Sequence, residues 1–521
     1  MSTKRKVKLP QINPLQSASI FGRALPLLAL LASCTNSQSV EMPSNLLIEN
    51  VILVDGTGTD RQITDVRIVS SRIDAIGDLD HGNGEVIDGR GLVLSPGFID
   101  THSHHDRSLA EDPDALVLLS QGVTTIVTGQ DGGSDIPIAR LKESFEDSPS
   151  AVNLASYVGH GSIRREVMGS DYMRAATSTE LTAMEELLNQ ELSTGAMGLS
   201  TGLEYDPGIY SETSEVISLA KITAEHGKRY SSHMRSEDRK LFSAIEETIT
   251  IAKEAGIPVH ISHIKLAMRS LWGRADEVLE LLNGARESGL EVTADLYPYE
   301  YWQSTMTVLF PDREFTKEAA EFALEELAPP EGILIDRYEP NPSYEGLTLA
   351  EVSQIRGMDP VTTYLALIAG SRAARETGNG GRESIIGTSM YPEDISVLLK
   401  WPYTNVASDG SSTSRHPRGY GSFSKIFRKH VREAGDLSLE EAVYKMTGLV
   451  KTTLGLEGRG TLEVGSVADM VLFDPDKIRD MATKEAPQAL SVGVEGVWVN
   501  GIRVFEHGLS TGARPGRWIE G

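Results

Sequence analysis

From about residue 45 the chain alternates short apolar runs with turn residues, in LLIENVILVDG, DVRIVSSRIDAIGDL and EVIDGRGLVLSPG. Val- and Ile-rich runs closed by Asp-Gly and Gly predict short strands. The same style returns near the end of the chain in SVADMVLFDP, GVEGVWVNG and IRVFEHG. Residues 46–95 and 451–521 are therefore expected to form one small β-sandwich domain built from both chain ends. Between them, over residues 96–450, the pattern changes. GVTTIVTG, NLASYVGHG, GAMGLSTG, KRYSSHM, IPVHISHIK and LEVTADLYPY read as short buried strands. They alternate with helical periodicities such as ELTAMEELLNQELS, KLFSAIEETITIAKEAG and DEVLELLNGARESG. Repeated strand-then-helix units imply a parallel sheet, and this many of them predict an α/β fold of the closed TIM (β/α)8 type. An open Rossmann-like sheet is the alternative, but no Gly-x-Gly-x-x-Gly turn follows a first strand. Residues 301–400 are too long for an ordinary connection and carry helical segments of their own, EFTKEAAEFALEELAPPEG and PVTTYLALIAGSRAARETG. Long insertions at the catalytic face of a barrel are often lids.

Residues 1–33 differ from everything that follows: they hold Lys4, Arg5, Lys6, Lys8 and Arg23 and no acid. The apolar run Ala24–Ala32 follows, ending in Leu31-Ala32-Ser33-Cys34. A basic flank, a short apolar stretch and small residues form the order of a secretory signal. The run is shorter than the ~20 apolar residues a membrane span needs. Leu-Ala-Ser-Cys resembles a bacterial lipobox, which implies lipidation of Cys34, a polar tether over residues 34–45, and a periplasmic lipoprotein anchored in the cell envelope. Cys34 is the only cysteine, so no thiolate is available as a metal ligand in the folded body. The net charge of −25 over 521 residues argues against nucleic acid, which requires a clustered basic surface.

Chemistry concentrates at the ends of the predicted strands, where a TIM barrel builds its active site. In Gly97-Phe-Ile-Asp-Thr-His-Ser-His-His-Asp106, His102 and His104 are two apart on an extended segment. Their side chains point the same way and can reach one metal. His233 in SSHMRSE and His263 in ISHIK each close a short apolar strand, while His260 stands at an odd offset from His263 and faces away. Asp409 in VASDG ends the strand expected to be the eighth. A carboxylate there can ligate a metal and take a proton from water, as metal-assisted hydrolysis requires.

Histidine-x-histidine, two later strand-end histidines and a late aspartate resemble the amidohydrolase superfamily. PGFIDTHSHHD, GAMGLSTGLEYDPG, HMRSE, ISHIK, ADLYPY and ASDG…HPR resemble its N-acyl-D-amino-acid deacylases, over most of the chain from Leu46 to Arg517. The resemblance implies zinc, with one tight site and room for a second. His102 and His104 would hold one ion with Asp409, and His233 and His263 the tighter one. Asp409 would act as general base and then acid, while Arg418 and Tyr297 would bind the substrate carboxylate and Lys265 would line the same substrate-binding site. Where the family carries a cysteine ligand, this chain reads Gln121-Gly-Val-Thr-Thr-Ile-Val-Thr-Gly-Gln-Asp131-Gly. Asp131 is then expected as a bridging ligand, harder than a thiolate. Related hydantoinases and dihydroorotases use a modified lysine midway through the barrel, and GAMGLSTGL contains none. The implied activity is hydrolysis of the amide of N-acyl-D-amino acids to a carboxylate and a D-amino acid. The competing readings are a dipeptidase for dipeptides with a C-terminal D-residue and a metal- or solute-binding lipoprotein without turnover.

Overall fold

The computed structural model describes residues 45–521, so the basic N-terminal stretch, the apolar run and Cys34 lie outside the described residues. Among the described residues no helix is long and apolar enough to cross a membrane. The strands of both chain ends hydrogen-bond into a single nine-stranded sheet. Val93–Pro96, from the first part of the chain, pairs antiparallel with Met470–Phe473 from the last. Leu46, Ile48, Val66, Ile68, Leu94, Met470, Leu472 and Trp498 form its buried core. The first strand, Asn45–Leu53, breaks its alternation at a register shift between Ile48 and Val51. Asn50 sits there in a left-handed conformation, which its short polar side chain tolerates.

The barrel strands are Phe98–Asp100, Val123–Thr128, Asn153–Ser156 continued by Val158–Gly159, Gly198–Gly202, Arg229–His233, Val259–Ile261, Val292–Leu296 and Thr404–Val406. Neighbours run parallel in chain order, and Val292–Leu296 pairs with Thr404–Val406. The ring closes through short contacts past the last and first strands: Asp409 N to the His102 carbonyl at 2.8 Å and His104 N to the Gly410 carbonyl at 2.9 Å. Most of these strands are buried along their whole length, as expected when helices cover the outside of a barrel and side chains fill its inside. The helix Leu241–Ala255 shows why the sequence folds this way. Leu241, Ala244, Ile245, Thr248, Ile251 and Ala252 recur at three- and four-residue spacing and are buried, and Gly256 ends the helix in a left-handed conformation.

A buried polar knot fastens the barrel to the β sheet. Asp469 accepts from Asn153 Nδ2 at 3.1 Å and from Asn500 N at 2.6 Å, and it pairs with Arg459. Between the seventh and eighth barrel strands the chain departs into a separate lobe. Its three antiparallel strands, in the order Tyr301–Ser304, Glu383–Thr388, Ile333–Tyr338, are accompanied by the helices Leu349–Arg356 and Pro360–Glu376. Trp302, Val308, Leu309 and Leu327 of this lobe form a wall of the cavity over the barrel mouth.

Candidate metal centre

The sequence-predicted histidines and carboxylates meet at that mouth. His102 is fully buried, and His104 stands beside it with 23% of its side chain exposed. The Nε2 atoms of both face the same two carboxylates. His102 lies 3.4 Å from Asp131 Oδ2 and 3.5 Å from Asp409 Oδ1; the corresponding distances for His104 are 3.2 and 3.3 Å. His233 and His263 form the second pair, with Nδ1 of the first 2.9 Å from Nε2 of the other. They face the opposite oxygen of Asp131, whose Oδ1 is 3.3 Å from His263 Nε2 and 3.8 Å from His233 Nδ1. One carboxylate thus turns an oxygen toward each histidine pair.

The local backbone explains how Asp131 gets there. It lies between Gly129 and Gly132, both at positive φ, and itself has φ 56°. A Cβ at Gly129 would lie 2.2 Å from the Tyr157 carbonyl oxygen, so the turn cannot approach the barrel rim with a larger residue. His263 and Asp409 also have positive φ, at 35° and 46°. Such conformations cost energy and persist where the surroundings over-determine them.

The donor set fits a zinc ion. Ligands at about 2.0–2.1 Å around a tetrahedral centre are separated by roughly 3.3 Å, and most of the distances above fall near that value. Both ring nitrogens of His102 are buried without a hydrogen-bond partner among the described residues, which a protein seldom tolerates unless something else engages them. In the second pair each outward nitrogen meets a buried carboxylate. His233 Nε2 is 3.0 Å from Glu204 Oε2, and His263 Nδ1 is 2.9 Å from Glu237 Oε1. This is the usual way a ligating imidazole is fixed in orientation and tautomer.

Charge in the cluster is internally compensated. Against burial, Arg418 and the His263 and His102 imidazoles hold Asp409 well below the usual carboxylate range. Asp131 is held there by His102, His104 and His263. Also against burial, hydrogen bonds to Asp131 and Asp409 push His104 up to about 9. Burial and Lys265 oppose charge on His263, yet Glu237, Asp409 and Asp131 push it up to about 10. Side chains that pair this strongly as imidazolium and carboxylate can exchange those protons for a divalent cation.

The residues expected around a substrate carboxylate all line the cavity beside the centre. Arg418 is buried at the start of the helix Arg418–Lys425, with its guanidinium over the Tyr297 ring at 4.7 Å and Nη1 donating to Asp409 Oδ2 at 2.5 Å. Its Nε and the Tyr297 hydroxyl have no partner among the described residues. Lys265 lines the same cavity but is held by both oxygens of Glu237 at 2.6 Å. His260 stays out of the centre and hydrogen-bonds Thr293 and Asp295.

Four carboxylates escaped the sequence reading although each lies inside a motif it singled out. Besides Glu204 and Glu237, Asp295 of ADLYPY accepts from His263 N at 2.6 Å and from His260 Nε2 at 2.8 Å. Asp100 of PGFID accepts from Ser408 N at 2.8 Å and so ties the first strand to the segment that carries Asp409. Burial raises Asp100 to about 6 despite the Ser408 bonds. The available signal was position: an acid at or just past the end of a buried strand.

A family model described as the amidohydrolase family matches residues 85–296 and 402–505. The gap between those segments contains the inserted lobe. D-Aminoacylase of Alcaligenes xylosoxydans xylosoxydans is 34% identical over 92% of this chain and 98% of its own length. N-Acyl-D-aspartate deacylase of the same organism is 36% identical over 91% and 94%. A solved D-aminoacylase superposes with a TM-score of 0.82 at 32% identity, over 91% of this chain and 99% of that one. N-Acyl-D-glutamate deacylase from Bordetella bronchiseptica, solved with zinc and a phosphonate mimic of the tetrahedral intermediate, gives 0.81 at 32%, with the same coverage. The chain belongs to the amidohydrolase family, in the group of D-aminoacylases and related N-acyl-D-amino-acid deacylases.

Proposed function

We propose that this protein is a zinc-dependent deacylase that cleaves the amide of N-acyl-D-amino acids, releasing a carboxylate and a D-amino acid. His233 and His263 would hold the more tightly bound zinc, His102, His104 and Asp409 a second ion, and Asp131 would lie between them. Zinc at such a site supplies Lewis acidity toward the scissile carbonyl and makes water a better nucleophile near neutral pH. The rest falls to the chain's own groups. Asp409 turns Oδ1 toward the first histidine pair and Oδ2 toward Arg418. It would take a proton from the attacking water and return it to the departing amine. The buried Arg418 Nε and Tyr297 hydroxyl offer donors without partners to the substrate carboxylate. The insertion wall of Trp302, Val308, Leu309 and Leu327 excludes water from that side and offers an apolar surface to the residue's side chain.

The observation that carries this reading is the Asp131 carboxylate, with one oxygen turned to each histidine pair. The relatives named above are deacylases, so the dipeptide reading has no support among them. The resemblance of Leu31-Ala32-Ser33-Cys34 to a lipobox supports an envelope location through Cys34 as part of the proposal. The test of function is turnover of N-acetyl-D-leucine, N-acetyl-L-leucine and a dipeptide ending in D-leucine by zinc-loaded protein. The D-acyl substrate should be hydrolysed far faster than the other two. Preference for the L-enantiomer or for the dipeptide would refute the proposal.

A further inference from the structure

The centre opens onto two spaces of opposite character. The first is the narrow cavity beside the centre, which contains Lys265, Tyr297 and Arg418 and is walled by apolar residues of the insertion. The second is a larger vestibule, open to solvent, which reaches the centre at His104, Asp131 and Asp409, shares Arg418 with the first space and includes neither Lys265 nor Tyr297. A substrate whose carboxylate lies at Arg418 and Tyr297, with its amide at the centre, therefore directs its acyl group into the vestibule. This step rests on the deacylase reading.

The vestibule wall is polar and unusually rich in arginine for so acidic a chain. Beyond the centre it presents Arg165, Arg313, Arg337, Arg375 and Arg415 against Asp206, Asp336 and Glu345, while the whole sequence has 49 basic and 74 acidic residues. Most of these charges are already engaged. Arg313 is held by Asp206 at 3.1 Å and by the Glu204 carbonyl at 2.9 Å. Arg337 pairs with Glu339 at 2.7 Å, and Arg375 with Glu383 at 3.4 Å. Asp336 accepts from Gln303 Nε2 at 2.7 Å and from Arg415 N at 2.9 Å, and Glu345 accepts from Tyr338 N at 3.2 Å. Two arginines remain. Arg165 gives one Nη2 bond of 2.7 Å to the Asp206 carbonyl and has no ion pair among the described residues. The Arg415 guanidinium has neither a hydrogen bond nor an ion pair among them. Both are exposed to the vestibule water. An apolar acyl chain would gain little on such a wall, whereas a second carboxylate would find guanidinium forks whose donors are unused.

We infer that the acyl side of this site is adapted to acyl groups ending in a carboxylate, such as succinyl or glutaryl, with Arg165 and Arg415 as the residues that select them. Matched pairs of D-leucine derivatives test this: N-glutaryl against N-pentanoyl and N-succinyl against N-butanoyl, alongside N-acetyl. For at least one pair kcat/KM should favour the diacid by about tenfold, the gain of one charge-assisted hydrogen bond in water-exposed surroundings. The difference should lie in KM and shrink as salt is raised. In the Arg165→Gln/Arg415→Gln double variant the ratio within each pair should fall to near one. Equal rates within both pairs in the unaltered protein, or a ratio that survives the double variant, would overturn the inference while N-acetyl turnover leaves the deacylase reading standing. If neither N-acetyl-D-leucine nor N-acetyl-D-glutamate nor N-acetyl-D-aspartate is hydrolysed, the deacylase reading fails and this inference fails with it.

Discussion

The two histidine pairs share Asp131 but are built differently. Behind His233 and His263 stand Glu204 and Glu237, both buried and within hydrogen-bond distance of the outward ring nitrogens. Behind His102 the nearest carboxylate, Asp295, is 4.0 Å from Nδ1, and His104 is partly open to the vestibule. His233 and His263 are fixed in orientation by side chains that exist before any ion arrives, whereas His102 and His104 have only the loop carboxylates Asp409 and the shared Asp131. Affinity for a metal follows how completely its ligands are pre-oriented. On the proposed function, the ion at His233 and His263 would be the one the protein keeps and the one hydrolysis depends on.

The largest effect should follow from breaking the well-supported pair. His263→Ala or His233→Ala should remove the retained zinc and reduce kcat/KM by on the order of a thousandfold or more, since Lewis acidity and the activated water are lost together. Zinc content and initial rates check it together; near-native values of both would refute the assignment. Asp409→Asn comes next. It should leave the His233–His263 zinc in place but lower kcat by roughly 10²- to 10⁴-fold, the usual contribution of a general base. A variant that keeps most of its kcat would show that another group moves the proton.

Weakening the support should cost less than removing a ligand. Glu204→Gln keeps a hydrogen-bond partner for His233 Nε2 but removes its charge, and zinc affinity should fall about 10- to 100-fold. A competition titration with a chelator measures this. The smallest effect is expected at the other pair. His104→Ala should lose the more weakly held ion and leave most of the turnover with the first. If His104→Ala and His263→Ala prove equally damaging, the two halves are not unequal in the way their surroundings suggest.

The sequence exposed the ligands better than what holds them. His102 and His104 could be placed because two-residue spacing on an extended segment fixes direction, and His233, His263 and Asp409 because each closes a short apolar run. Glu204, Glu237, Asp295 and Asp100 have no periodicity to betray them, since what matters is which strand end lies next door. His233 and Glu204, for example, meet only because Gly198–Gly202 and Arg229–His233 are neighbours in the barrel. For the same reason the pairings of Lys265 with Glu237 and of Arg418 with Asp409 appear only once the loops are in place. Both chain ends signalled strands clearly, whereas the insertion showed its helices but not its three-stranded sheet. Its strands Ile333–Tyr338 and Glu383–Thr388 are separated by helices and pair across more than forty residues, a contact no local pattern encodes.

The claim that one half of the centre supports hydrolysis is tested most directly by titrating zinc into metal-depleted protein. Bound zinc per chain and the rate of N-acetyl-D-leucine hydrolysis are read from the same samples. Activity should rise with the first equivalent and be nearly complete when one ion is bound, with further zinc adding little. Protein that stays inactive with one ion bound and gains its activity only with the second would contradict the account.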